Sequence, residues 1–343
     1  MATQQGEGGV PFSVAHDLRQ FRLLELPAEL LELLDSPTPP PLSIKSQAPP
    51  ASSGTFNAKP AYAVLCTPSR TYQLRQVQTS NSVFITQATL EAHEDEIPVP
   101  TTCAIASCGA TLELHPADTP ALRYLEDVLP IYDIVDGEVD ASGNGKSMAD
   151  VFKDIPLSEG QCKQGWEEVF AFEFAGSSWM PSANTLLQVW TAVNDAAASE
   201  SVPLHKQFLT DDIINALDDR GYPESLIQAI LTRLGYDDQK DAGWSCLDRS
   251  RTMMFVGETL LEAKLASEDY LIAEFLGVWK DSVPELWRED VDLHTLEGRY
   301  NVPSDKTIRS SKRGAKTAPA ASKASAGSSS RKWHEKFGRA RKK

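Results

Sequence analysis

The chain has 343 residues and is 41% hydrophobic, which allows two or three domains with real cores and excludes a wholly disordered protein. Its net charge of −15 is uneven: residues 305–343 hold thirteen Lys or Arg against two acids, a net of +11, so residues 1–304 carry −26, and a body this acidic repels phosphate and leaves only the tail for nucleic acid. Five scattered cysteines (Cys66, Cys103, Cys108, Cys162, Cys246) without a CxxC or a nearby His pair predict reduced thiols and neither a zinc site nor a disulfide framework.

The opening MATQQGEGGVPFS predicts no signal peptide, and no apolar run reaches the ~18 residues of a membrane span. Residues 1–17 read as a disordered N-terminus. Phe21 to Leu26 reads as a short strand, and Pro27 suits the first position of one or two helical turns. Residues 35–60, rich in Pro, Ser and Ala, read as a mobile loop.

Tyr62 to Ile85 is the most patterned stretch. Tyr62, Val64 and Cys66 fall on one face of a first strand, and Thr67-Pro68-Ser69-Arg70 turns the chain. Thr71 to Val77 alternates through Tyr72, Leu74 and Gln76, Thr79-Ser80-Asn81 reads as a second turn, and Val83 to Ile85 opens a third strand. Glu91 to Glu96 reads as a solvated loop. Thr101 to Ala106 and Thr111 to His115 read as strands flanking a turn at Ser107-Cys108-Gly109-Ala110. Residues 18–118 are therefore an all-β, barrel-like domain with too few strands to close alone, a barrel that a partner would complete.

The pattern then becomes helical. Asp118 or Thr119 caps a helix with Pro120 at its first position, running to about Leu129. Met148 to Lys153 is a second helix. Ser158-Glu159-Gly160-Gln161 matches a capping box and opens a third, through Trp166 to Val169. Phe170 to Phe174 and Ser178 to Pro181 form a hairpin about Ala175-Gly176-Ser177, so residues 119–183 spell a winged helix. A second unit, 184–266, has a helix from Asn184 to Ala198 facing inward with Leu187, Trp190 and Val193, Thr210 capping Asp211 to Leu217, and a helix from Pro223 to Leu234 with Gly235 as C-cap. A strand at Trp244 to Leu247 and a helix from Thr252 to Lys264 follow. A partial third unit, 267–304, begins with Ser267 capping Glu268 to Trp279, whose inner face is Leu271, Phe275, Val278 and Trp279, and shows no wing after Tyr300. Residues 305–343 are a basic, largely disordered tail.

Four segments, in order, carry a family resemblance. They are an LLEL strand with a leucine-rich turn, Arg70-Thr71-Tyr72-Gln73-Leu74-Arg75 followed by Thr79-Ser80-Asn81-Ser82 and an apolar strand, DIPLSEGQCKQGWEEVFAFE with a Trp in the next wing strand, and EFLGVWKDSVPE followed by DLHTLEGRY. Together they resemble the sister chromatid cohesion protein DCC family over residues ~18–300. The resemblance implies an α+β, non-catalytic adaptor subunit of an RFC-like alternative clamp loader, acting in the nucleus in DNA replication, sliding-clamp loading and sister chromatid cohesion. It implies two partners within the complex, a small β-barrel subunit and the large ATPase subunit, a further contact with the replicative DNA polymerase, and an indirect one with the sliding clamp. The candidate partner-binding residues of the β-domain are Tyr62, Val64, Tyr72, Leu74 and Phe84. The rival reading is a free-standing winged-helix DNA binder, a chromatin or transcription factor. The acidic body weighs against it, and the helix from Pro223 to Leu234 offers one Arg, Arg233.

No motif supports catalysis or a cofactor. Gly143-Asn144-Gly145-Lys146-Ser147 falls short of a phosphate loop because Asp140 stands where the first glycine belongs. The six histidines are isolated, and the acid pairs Asp211-Asp212 and Asp218-Asp219 lie on a predicted helix and at its end, a structural role in which N-terminal acids complement the helix dipole. Trp166, Trp179, Trp190, Trp244 and Trp279 read as core, with inter-unit seams as the sharper alternative. In the tail, Lys312, Arg313, Lys316, Arg331, Lys332, Lys336, Arg339 and Arg341 suit nuclear import and weak non-specific DNA contact, beside Trp333 and Phe337.

Overall fold

The structure, a computed structural model, describes residues 11–47, 62–91, 99–117, 119–134, 145–236, 243–264 and 269–311. The chain divides into two units, residues 1–248 and 249–343, of mixed α+β class.

The first unit opens with β1 (Phe12–Val14), β2 (Leu23–Leu24), α1 (Ala28–Leu34), β3 (Ser43–Gln47), β4 (Tyr62–Cys66), β5 (Thr71–Glu91) and β6 (Val99–Pro116). The sheet order is β1-β6-β5-β4-β3, with β2 also on β6, and among the described residues it stays open rather than closing into a barrel. β1 and β2 pair parallel to β6, so the domain is not wholly antiparallel. Three expectations are corrected here. Phe12 to Val14 is strand, although it lies in the N-terminus read as disordered. Ser43 to Gln47, inside the stretch read as loop, pairs with β4 from Ser43↔Cys66 to Gln47↔Tyr62. The turns read at residues 79–81 and 107–110 are absent. β5 and β6 run through both as one long hairpin, and their register shifts between Gln78 and Val83. There β5 advances five residues while β6 advances two, so three extra residues sit in the continuous strand and turn-rich composition misleads.

Helix α1 starts behind Pro27 and buries Leu30 against Leu65, Tyr72 and Leu114, with Leu26, Leu33, Leu34, Leu42 and Leu74 around them. This leucine cluster is the core of the sheet's helix-covered face. Burying each such side chain contributes about 1.5–3 kcal/mol.

Then come α2 (Ala121–Val128), β7 (Ile131–Tyr132), α3 (Met148–Asp154), α4 (Glu159–Glu168), β8 (Phe172–Phe174) and β9 (Ser177–Pro181). Their core joins Leu125, Val151, Phe152, Ile155, Leu157 and Cys162. β8 and β9 form the expected hairpin, its turn set by left-handed Ala175 and Gly176, and β7 pairs parallel to β9. Ser158 caps α4 by accepting from Gln161 N. The α2 start differs: Pro120 is its N-cap, with no side-chain bond. The rest of the unit is α5 (Ala183–Ser199), β10 (Phe208–Leu209), α6 (Thr210–Ala216), α7 (Glu224–Leu234) and β11 (Trp244–Ser245), with β10 antiparallel to β11. Thr210 is the first helical residue of α6 rather than its cap, its hydroxyl bonding Ser245 instead.

The second unit contains α8 (Arg249–Ala263), β12 (Tyr270–Leu271), α9 (Ile272–Asp281), two 3-10 turns at Glu285–Asp290 and Leu293–Leu296, β13 (Tyr300–Ser304) and β14 (Thr307–Ser310). Where no strand pair was expected after Tyr300, β13 and β14 form an antiparallel hairpin in a sheet of order β12-β14-β13. Ile308 and Ser310 are buried, so the ordered unit extends past residue 304 into the stretch read as tail. Residues 270–271 are strand, α9 begins at Ile272, and Leu271 and Val278, read as inward, are exposed. Phe275 and Trp279 fill the core, and the Trp279 indole N–H donates to Met253 O at 3.1 Å.

Candidate functional site

The open sheet presents its edges and far end to solvent. On edge strand β3, Ile44 sits opposite Leu65 yet remains 70% exposed, because α1 covers the sheet further in. At the far end of the β5–β6 hairpin, Val83, Phe84, Leu90 and Val99 are exposed, joined by Phe12 and Val14 of β1. The Phe12 and Phe84 rings meet edge to face, with centroids 6.5 Å apart. Exposed apolar side chains on unpaired strands mark places where another chain docks.

The predicted contact residues separate against this surface. Tyr62 and Phe84 lie on it, being 39% and 49% exposed. Leu74 is half-buried against the leucine cluster. Val64 and Tyr72, only 2% and 4% exposed, are corrected from contact residues to core. Both faces of the sheet are covered at this end, so alternation alone could not tell a dry face from a docking face. Ile44 and Phe12 went unnoticed because each lies in a segment read as unstructured, although the alternation Ser43-Ile44-Lys45-Ser46 was a signal for β3.

A second arrangement joins the sheet to the first helical module. Lys45 Nζ donates to Phe152 O at 2.7 Å, Ile155 O at 2.9 Å and Leu157 O at 2.7 Å, closing the carbonyl-rich end of α3. The Thr71 hydroxyl accepts from Ser158 N at 2.7 Å and donates to Gln161 Oε1 at 2.7 Å, while Gly160 N donates to Pro68 O at 2.8 Å. Half of the expected capping box is thereby replaced: the Ser158 N–H goes to Thr71, and Gln161 receives the hydroxyls of Thr71 and Ser158. A Cβ on Gly160 would sit 3.0 Å from Pro68 O, so the glycine permits this approach.

The N-terminus of α4 is thus occupied by the chain itself, while at the start of α7 the Ser225 hydroxyl donates to Glu173 O of β8 at 2.7 Å. The outward side of α7 carries Glu224, Gln228 and Thr232. In a helix-turn-helix complex, the recognition helix reads DNA with its N-terminal residues. The α4 end is engaged within the chain, and α7 opens with the exposed acid Glu224, which repels phosphate.

Other candidates resolve plainly. Lys146 pairs with Asp154 and Ser147 caps α3, while residues 135–144 of the glycine-rich loop lie outside the described residues. Asp211 and Asp212 stand in the first turn of α6. Among the described residues no group of His, Cys, Asp or Glu is placed to hold a metal. Burial pushes the Cys162 thiol up to about 11 and keeps it protonated. Trp190 and Trp279 are core, whereas Trp244, 44% exposed, pairs across strands with half-exposed Leu209. The tail residues Lys312, Arg313, Lys316, Arg331, Lys332, Lys336, Arg339 and Arg341, with Trp333 and Phe337, lie outside the described residues. No described helix is long and apolar enough to cross a membrane.

Among known proteins, the family model for sister chromatid cohesion protein Dcc1 matches residues 21–314. No curated protein matches the chain.

Proposed function

Starting from the chain's membership of the sister chromatid cohesion protein Dcc1 family, which carries a role in cohesion and a chromatin setting, we propose that it is a non-catalytic adaptor subunit of an RFC-like alternative clamp loader. It acts in the nucleus during DNA replication. The open sheet binds the small β-barrel subunit and the C-terminal segment of the large ATPase subunit. The helical modules, read as winged helices, bind protein, including the replicative polymerase, and the basic tail adds import and weak DNA contact.

One observation carries the choice of protein over DNA as the main partner: the N-terminus of α4 is spent on Thr71 and Pro68 within the chain, and α7 opens with an exposed Glu224. The acidic body points the same way, because DNA recognition needs a basic footprint. The exposed Ile44, Phe84 and Phe12 supply the apolar anchors an interface requires.

Co-expression of the full chain with the small subunit and the ATPase's C-terminal segment tests this. Co-elution in size exclusion is expected. A chain that elutes alone, and whose DNA affinity survives removal of residues 312–343, would support the free-standing DNA binder instead.

A further inference from the structure

Ser or Thr precedes Pro four times in this chain, at Ser36, Thr38, Thr67 and Thr119. A proline-directed protein kinase needs that dipeptide in extended backbone with a free hydroxyl, because the peptide must lie open across the catalytic cleft. The structure sorts the four sites. Thr67 is buried in the β4–β5 turn, where its hydroxyl donates to Arg70 O at 3.1 Å and accepts from Arg70 N at 2.9 Å. Thr119 is half-buried, and the residues after Pro120 are already wound into α2. The Ser36 hydroxyl is tied to Leu33 O at 2.8 Å, at the C-terminal end of α1, where the helix dipole opposes an added negative charge.

Thr38 differs in exposure and in its hydroxyl. It is exposed, lies at a bend between α1 and β3 in neither helix nor strand, and makes no hydrogen bond to a described residue. Pro39, Pro40 and Pro41 follow it. Their rings fix φ near −65° and remove three backbone donors, so residues 39–41 favour the extended form a kinase cleft accepts, and Thr38 has no pairing to break on entering it.

We infer that Thr38 is a phosphoacceptor site for a proline-directed protein kinase, with ATP as donor. A bond forms between Thr38 Oγ1 and the γ-phosphorus, and the bond from that phosphorus to the β,γ-bridging oxygen breaks. ADP leaves, and the hydroxyl proton passes to the kinase's aspartate. The product adds a charge of about −1.5 to −2 on the connection leading into β3. Any effect on a partner at that edge rests on the function proposed above; the modification itself does not.

The test treats the full, folded chain with a cyclin-dependent or MAP-type kinase and ATP, and follows each site by mass spectrometry. Peptides spanning the four sites serve as controls without structure. Thr67 and Thr119 must wait for local opening, so Thr38 should be modified at least about tenfold faster in the chain, with a much smaller spread among the peptides. Thr38→Ala should remove most of the incorporated phosphate and Ser36→Ala little of it. Absence of phosphate at Thr38 in the folded chain, comparable rates at Thr67 or Thr119, or undiminished incorporation in Thr38→Ala would each overturn the assignment.

Discussion

The Thr71 hydroxyl accepts the backbone N–H of Ser158 at 2.7 Å, joining the first residue of β5 to the residue just before α4. Both residues are buried. With Lys45 on the carbonyls of Phe152, Ile155 and Leu157, this bond makes the sheet and the first helical module one polar seam rather than two loosely tethered parts. Thr71→Val keeps the shape and strands a buried N–H, at a cost of about 1–3 kcal/mol, and Lys45→Met should cost about 2 kcal/mol. Urea unfolding of the full chain measures both. Losses below about 0.5 kcal/mol for each would mean the seam contributes nothing beyond a surface contact.

Two glycines of the second unit should respond with opposite signs. A Cβ on Gly257 would lie 2.7 Å and 2.8 Å from the Trp279 ring and 2.9 Å from Leu296, so Gly257→Ala should destabilise by about 1–3 kcal/mol. Gly277 lies in α9 with nothing within 4 Å of its would-be Cβ, and Gly277→Ala should stabilise by about 0.5–1 kcal/mol. Thermal melts compare the two, and a shared sign would contradict this packing.

The thiols give a pH prediction. Four of the five cysteines are buried, and Cys246 is half-buried with its Sγ on His205 O. One thiol should react with a disulfide reagent in the native chain and five after denaturation. Burial raises the folded Cys162 value to about 11, so the unfolded chain sheds this proton first. Its contribution to stability is therefore intact below the ordinary thiol value of about 8.5 and is lost as pH climbs toward 11. Cys162→Ala should flatten that alkaline limb.

Much of this was legible in the sequence because local signals agreed there. The helix after Pro27, the Ser158 cap, the hairpin about Ala175-Gly176 and the Trp190 and Trp279 cores all follow from capping, turn chemistry and periodicity. The readings that failed depend on distant pairing. Thr79-Ser80-Asn81 looks like a turn, yet β5 continues past it and re-pairs with β6 at Val83↔Cys108 after a register shift. Ile44 looks like loop until β4 lies beside it. Val64 and Leu65 point to opposite faces and are both buried, which no alternation can announce. Lys45 and Thr71 serve a seam more than eighty residues away in sequence, and no local pattern encodes it.

Residues 312–343 should carry the salt-sensitive DNA affinity. Truncation after Ser311 keeps β14, which a cut at residue 305 would remove. If about six phosphates are contacted, the slope of log K against log salt is about −5 for the full chain and near zero for the truncated one. An unchanged slope in a binding titration would move the DNA contact onto the folded units.

Hydrogen–deuterium exchange of the full chain, alone and with the small β-barrel subunit, tests the adaptor account most directly. Slowed exchange is expected in Ser43–Gln47 of the edge strand and in residues 83–91 around Phe84, with α4 and α7 unchanged. Protection that avoids the open sheet, or no protection at saturating partner, would contradict the claim that this sheet is where the chain joins its complex.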